Sequence, residues 1–303
     1  MKLYRLQIML MIVPLCLASG LVFAQDATRE ATTEAIVPQT VAYGEVKGEQ
    51  LMLDVYEPAP SATPQPAIIL IHGGAGSFGD RSDMADHAQG LAANGYVAFT
   101  IDYRLLNGLK NRWPAQLDDA QLAVRWIRAN AATYNIDPDR ICSLGFSFGG
   151  QLAGLLGVRD TAKDSGLPLS EYSSKVVCVI SIAGGVDAMH PSLDTLVKVE
   201  MDLYGGPPSE TLAARLDASP LAQVNADSAP FLIFHGADDE DTSVDESRDM
   251  VDALHRAGVA VVYVEYPHAT HFYWINFFQF KGSWDTVAPE TLAFLGRHLK
   301  PTS

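Results

Sequence analysis

The chain has 303 residues, 48% hydrophobic and 19% charged, with 24 Gly and 17 Pro. This is a globular composition, long enough for two small domains or one large one. Its 21 Lys and Arg against 36 Asp and Glu give a formal charge of −15. A polyphosphate would meet net repulsion with no basic tract to relieve it, which argues against nucleic acid as a partner.

Residues 1–24 read as an export signal. Lys2 and Arg5 form the positive end, residues 7–17 are nearly continuous in Leu, Ile, Met and Val, and Val22-Phe23-Ala24 supplies the small or compact cleavage positions. The apolar core is shorter than the roughly 20 residues of a spanning helix. Cleavage is therefore expected, leaving no stable membrane anchor and a secreted or periplasmic protein of 279 residues at −17. Residues 25–38, rich in Ala, Thr and Glu, are expected as a flexible leader, followed by one domain over 39–303.

The domain is expected to open with a hairpin, residues 41–43 and 51–55 flanking a Gly-containing turn. Compact apolar runs at 67–71, 96–101, 140–144, 176–182, 231–234 and 259–264 read as buried strands. The clearest helix is 115–131, where Leu117, Ala120, Val124, Ile127 and Ala131 recur at spacings of 3, 4, 3 and 4. Further helices are expected from Phe148, over 245–257 and over 288–298. Residues 187–218, with Pro191, Pro207 and Pro208, fit neither period and are expected as a small insertion or cap over the sheet edge. Strands alternating with helices predict an α/β fold, its mostly parallel sheet covered on both faces. Cys16 leaves with the signal. Cys142 and Cys178 lie in strands and are expected as buried free thiols, although export permits a disulfide.

The strongest chemical signal is Gly145-Phe146-Ser147-Phe148-Gly149-Gly150, placed after a strand and opening a helix. In that context G-x-S-x-G is a sharp turn that presents the serine hydroxyl, with glycines admitting the close approach of strand and helix. A serine needs a base to take its proton, and the base needs an acid to fix its tautomer. Asp239, after the strand at 231–234, and His271, after the strand at 259–264, follow in the order the fold requires. His72-Gly73-Gly74-Ala75-Gly76, after the strand at 67–71, offers bare N–H groups. With the N–H of Phe148, those of Gly73, Gly74 and Ala75 are the candidate oxyanion donors. No spacing of His, Cys or carboxylates suggests a metal, and this chemistry calls for no cofactor.

Together with Asp102-Tyr103-Arg104-Leu105, Trp113-Pro114-Ala115-Gln116-Leu117-Asp118-Asp119 and His235-Gly236-Ala237-Asp238-Asp239, these motifs make the chain resemble the α/β-hydrolase superfamily. The similarity lies in its carboxylesterase branch, among hormone-sensitive-lipase-like and acetylxylan or feruloyl esterase-like enzymes, over residues 41–299. The resemblance implies the α/β-hydrolase fold and a serine esterase acting through an acyl-enzyme on small or carbohydrate-linked esters. It puts the acid at the fifth residue of H-G-x-x-D, which is Asp239. It puts the base at the histidine of G-x-x-H-x-F, which is His271, with His268 at the glycine position. Alternatives are a peptidase of the prolyl-oligopeptidase type, a lipase, or a non-catalytic binding module of the same fold. Oligomeric state stays open.

Three departures bear on substrate choice. The third glycine of the family's H-G-G-G is Ala75 and the aromatic after it is Gly76. The alanine of S-A-G-G is Phe148, a ring expected to narrow the site. His268 is a second imidazole three residues from the base. Asp238, Glu240, Asp241, Asp245 and Glu246 around the acid are expected mostly in solvent, where their field disfavours anionic substrates. The aromatic run Phe272, Tyr273, Trp274, Phe277, Phe278, Phe280 and Trp284 is expected to pack in the core rather than line a pocket.

Overall fold

A computed structural model describes residues 35–190, 194–276, 281–282 and 284–299. The export signal, residues 25–34 of the leader, and Phe277, Phe278 and Phe280 lie outside the described residues. Of the leader's remainder, Ile36 is fastened to Gln89: its N–H donates to Oε1 at 2.9 Å, and Gln89 Nε2 donates back to its carbonyl at 2.5 Å.

The described residues open with the expected hairpin, β1 (Gln39–Val46) and β2 (Glu49–Tyr56). Lys47 and Gly48 turn it at φ +53° and +83°, the left-handed pair whose twist matches that of the strands. Then come β3 (Gln65–Ile71), α1 (Ala85–Ala93), β4 (Val97–Ile101), α2 (Ala115–Ala129), β5 (Ile136–Phe146), α3 (Phe148–Val158) and β6 (Cys178–Ile182). The second half holds α4 (Asp194–Tyr204), α5 (Leu212–Ala218), β7 (Phe231–Gly236), α6 (Val244–Arg256), β8 (Val261–Tyr266) and α7 (Trp284–His298). Eight strands form one sheet in the order β1-β2-β4-β3-β5-β6-β7-β8. Strand β2 runs antiparallel to β1 and β4, and from β4 to β8 every pairing is parallel.

Because side chains alternate across a strand, the central strands feed two cores. Ile69, Ile71, Phe99, Val179, Phe231 and Ile233 meet α2, α3 and α6 on one face. Ile68, Leu70, Leu144, Ile180, Leu232 and Phe234 meet α1 and α7 on the other. Each such side chain removed from water contributes roughly 1.5–3 kcal/mol, and this double burial is why the strands read as unbroken apolar runs.

Three expectations change. Cys142 and Cys178 are not free thiols: they are register partners on β5 and β6, and the disulfide between them spans Cα atoms 4.7 Å apart. Residues 187–218 are not aperiodic, since they carry α4 and α5. Their period is obscured by inward charge: Arg215 is 1% exposed, with Nη1 on the Ala188 carbonyl at 2.7 Å and its guanidinium 4.7 Å from the Tyr204 ring. Finally, α7 begins at Trp284 and contains Pro289, which reads as a start signal. The Trp284 ring lies on α1 at Gly90, where an added Cβ would come within 2.3 Å of it.

Candidate active site

Ser147 occupies the turn between β5 and α3 with φ 54° and ψ −123°, a strained conformation costing about 1–3 kcal/mol for a residue with a Cβ. The surroundings enforce it. A Cβ at Gly145 would lie 2.0 Å from the Gly149 carbonyl oxygen, and one at Gly149 would lie 2.1 Å from that of Ile71. Only glycine lets β5, α3 and β3 approach this closely. The Ser147 N–H donates to the Ile182 carbonyl at 2.9 Å, and the Ser147 carbonyl accepts from Gly150 at 2.8 Å, so the turn is held from both sides.

Asp239 follows β7, and His271 follows β8 in a short 3-10 turn. His271 Nε2 lies 2.9 Å from Ser147 Oγ, and its Nδ1 lies 2.8 Å from Asp239 Oδ2. The carboxylate only accepts, so Nδ1 carries the proton and the Nε2 lone pair faces the hydroxyl. Asp239 Oδ1 accepts the N–H groups of Asp241 and Thr242, both at 2.9 Å. Burial alone would raise the Asp239 carboxyl, but hydrogen bonds from His235 and His271 outweigh it and hold the group well below the usual carboxylate range. His268 points away: its side chain is 90% exposed, 3.3 Å from Asp238 Oδ2. At φ +61° it adopts the left-handed backbone that suits the glycine of the family pattern.

The loop after β3 passes beside the serine, and a Cβ on Gly73 would sit 3.1 Å from that of Ser147. The Tyr103 hydroxyl reaches the carbonyls of His72 and Gly73 at 3.1 and 3.0 Å, and its ring stacks on His72 at 4.2 Å. An amide N–H points opposite to its own C=O, so these contacts turn the N–H groups of Gly73 and Gly74 away from Tyr103. Among the described residues the N–H groups of Gly73, Gly74, Ala75 and Phe148 donate to no protein group. Ala75, at φ +49°, and Phe148 line one small pocket with Ser147 and His271, whereas Gly74 does not.

Two of the departures prove to be one. A Cβ at Gly76 would lie 3.1 Å from the tip of the Phe148 ring. The ring carried by residue 148 therefore fills the space that an aromatic at residue 76 would claim, and Phe148 is buried against Tyr103 at 6.2 Å between centroids.

The opposite wall comes from the stretch between β6 and α5, with Asp187, His190, Glu200 and Tyr204, and from Asp241 and Glu246. Asp238, Glu240 and Asp245 are exposed as expected, but Glu246 is not in solvent. It is 8% exposed, and its Oε2 accepts the N–H groups of Val186 and Asp187 at 3.0 Å each. Burial pushes its carboxyl up to about 7, against the pull of those two bonds. Phe272 and Tyr273 also depart from expectation, being 47% and 49% exposed rather than packed in the core. The sequence reading missed Tyr103, Glu246 and His235 as parts of the site. Tyr103 and His235 lie inside motifs already noted, and Glu246 was hidden within an acidic run. Among the described residues no three metal-binding side chains converge.

The BD-FAE family model matches residues 53–270, a span that encloses Ser147 and Asp239 and ends one residue before His271. The probable carboxylic ester hydrolase LipM of Mycobacterium tuberculosis is 30% identical over 241 residues, 76% of this chain and 55% of LipM. The esterase LipC of the same organism is 32% identical over 243 residues, 76% of this chain and 58% of LipC. The chain thus spans little more than half the length of these relatives. Among solved structures, a thermophilic esterase from Thermogutta terrifontis superposes with a TM-score of 0.74 at 23% identity, over 89% of this chain and 95% of that one. A truncated carbohydrate esterase from gut microbiota superposes with a TM-score of 0.72 at 25% identity, over 88% and 98% of the two chains. With its eight-stranded sheet in α/β-hydrolase order and more than half its length matched, the chain belongs to the BD-FAE family, in the carboxylesterase branch of the α/β-hydrolase superfamily.

Proposed function

We propose that the protein is an exported serine carboxylic-ester hydrolase acting on small or carbohydrate-linked esters. The observation that carries this reading is the unbroken chain of contacts from Ser147 Oγ through His271 to Asp239, 2.9 and 2.8 Å long, beside a loop with free N–H groups. In the first step His271 takes the Ser147 proton as Oγ attacks the ester carbonyl, and Asp239 stabilises the imidazolium. The N–H groups of Ala75 and Phe148, both lining the pocket, are placed for the developing oxyanion, with those of Gly73 and Gly74 on the same loop as further candidates; removing one such donor in other enzymes costs roughly 2.7–4 kcal/mol. His271 then returns the proton to the leaving alcohol, and water, activated by the same imidazole, releases the acid.

The names of the relatives, a carboxylic ester hydrolase and an esterase, support the reaction class. The pocket beside Ser147, about 60 Å³ and narrowed by Phe148, supports a short acyl group. Its wall of Asp187, Glu200 and Glu246 supports a neutral, hydroxyl-rich alcohol over an anionic one. A relative described as a carbohydrate esterase is consistent with that choice. Export is supported by residues 1–24 and by the Cys142–Cys178 disulfide, which persists in oxidising compartments. The test is initial-rate hydrolysis of p-nitrophenyl esters from acetyl to long acyl chains, with acetylated xylan alongside, for wild type and Ser147→Ala. Serine-dependent turnover that falls as the acyl chain lengthens is expected. No turnover of any ester by folded wild type would overturn the reading.

A further inference from the structure

Two histidines reach the carboxylate of Asp239, and the mechanism above uses one. His271 Nδ1 lies 2.8 Å from Oδ2, while His235 Nε2 lies 3.3 Å from the same oxygen and 3.0 Å from the Thr242 carbonyl. Both of these neighbours are acceptors, so His235 Nε2 carries a proton. Its Nδ1 lies 2.6 Å from Ser247 Oγ, whose hydroxyl donates to it and so fixes that tautomer. His235 is fully buried on β7, and Ser247, on α6, is 1% exposed; water does not compete for either.

The contacts close a ring. His235 holds the Thr242 carbonyl, and the Thr242 N–H in turn donates to Asp239 Oδ1 at 2.9 Å. The turn carrying Asp239 is therefore fastened at the carboxylate and at its far end by one imidazole. The other charged group facing His235 is Glu265, its register partner on β8. That carboxylate is already taken up by Arg248, at 3.1 and 2.7 Å, and by the Tyr263 hydroxyl at 2.7 Å.

We propose that His235 is a positioning residue for the Ser147 site: held as its Nε2–H tautomer by Ser247, it fastens the 239–242 turn and aims the Asp239 carboxylate at His271. A buried carboxylate with one lateral donor removed turns about its own bond toward whatever donor remains, and the imidazole it orients loses its angle to Ser147. The two histidines also share the charge of Asp239. Removing one donor leaves more negative charge facing the other, which favours the His271 imidazolium.

This inference rests on the proposed ester hydrolysis, and its test separates the two. His235→Leu, His235→Gln and Ser247→Ala are compared with wild type in hydrolysis of a short p-nitrophenyl ester, with rates expressed per Ser147 titrated by a fluorophosphonate. His235→Leu is expected to lower kcat per titrated site by about tenfold or more, with KM within about twofold. The acid limb of kcat/KM is expected to move up by roughly half a pH unit. His235→Gln, whose amide donates from nearly the position of Nε2, restores most of both. Loss of active sites with kcat per site and the acid limb unchanged would make His235 merely structural and overturn the inference. Should His235→Leu fail to fold, Ser247→Ala carries the test: a lower kcat per site with a displaced acid limb is expected, and wild-type values for both overturn it. If wild type hydrolyses no ester, the functional reading falls by itself. The NMR titration of the His271 Nδ1 proton then decides: a midpoint raised in the variant supports the positioning role, and an unmoved one removes it.

Discussion

The two sides of the Ser147 pocket rest on different physics. On one side, β3, β5 and α3 meet at glycines where an added Cβ would fall about 2 Å from backbone oxygens, and nothing there can change without moving main chain. On the other, Asp187, Glu200 and Glu246 hang from α6 and the stretch between β6 and α5, held by hydrogen bonds and by one buried arginine. The first side is rigid because backbones touch. The second is positioned by side chains, which can be exchanged for others of similar size. The nucleophile, its neighbouring N–H groups and the Phe148 ring therefore belong to the first side, and the acidic wall that would face the rest of the substrate belongs to the second.

The comparison can be broken in four places. Ser147→Ala should lower ester turnover by at least about 10⁴-fold while leaving the melting temperature at or above wild type, since it removes only the nucleophile; turnover and thermal melts on the same preparation check it. Gly149→Ala should do the opposite, costing roughly 4 kcal/mol or more of stability because its methyl meets the Ile71 carbonyl, as read by denaturant unfolding. On the substrate side, Glu246→Gln should keep both backbone hydrogen bonds and remove a buried charge. The folded state holds the Glu246 proton up to about pH 7, against about 4.3 in a free chain. The contribution of this one group is thus fully present below the unfolded value and is lost as pH rises from there through 7. The variant's advantage should be near zero at pH 4 and on the order of 2 kcal/mol at pH 8, and pH-resolved melts would reveal it. The smallest effect is expected from Phe148→Ala, which opens the pocket beside Gly76. It should shift the preferred acyl chain longer by about 5- to 30-fold in relative kcat/KM, worth about 1–2 kcal/mol.

What the sequence made legible follows the same division. The eight strands of the main sheet fall where apolar runs lie, most plainly in β3, β4, β6 and β7, whose burial on both faces leaves few polar positions to confuse the pattern. Ser147, Asp239 and His271 were readable because each lies on the turn or loop that follows a strand of the sheet, in the order the fold requires. Helix α1 was not anticipated: Gly90 interrupts its short apolar face, and the reason for that glycine, the Trp284 ring, lies far along the chain. Helices α4 and α5 were hidden because Glu200 and Arg215 turn charge inward, and pairing of that kind has no signature in spacing. The disulfide was missed because strand register, which sets Cys142 against Cys178, is a tertiary fact. Glu246 looked like one more solvated acid, since only the fold brings the N–H groups of residues 186 and 187 to it.

The central claim is that Ser147, activated by His271 and Asp239, carries the acyl group in a covalent intermediate. The most direct measurement is rapid acid quench of the protein mixed with p-nitrophenyl acetate, followed by peptide mass spectrometry. The account predicts the mass of one acetyl group on the peptide containing Ser147, formed in step with a burst of p-nitrophenol, and neither adduct nor burst in Ser147→Ala. Hydrolysis in which no acetyl group ever appears on Ser147, or which persists in Ser147→Ala, would contradict it.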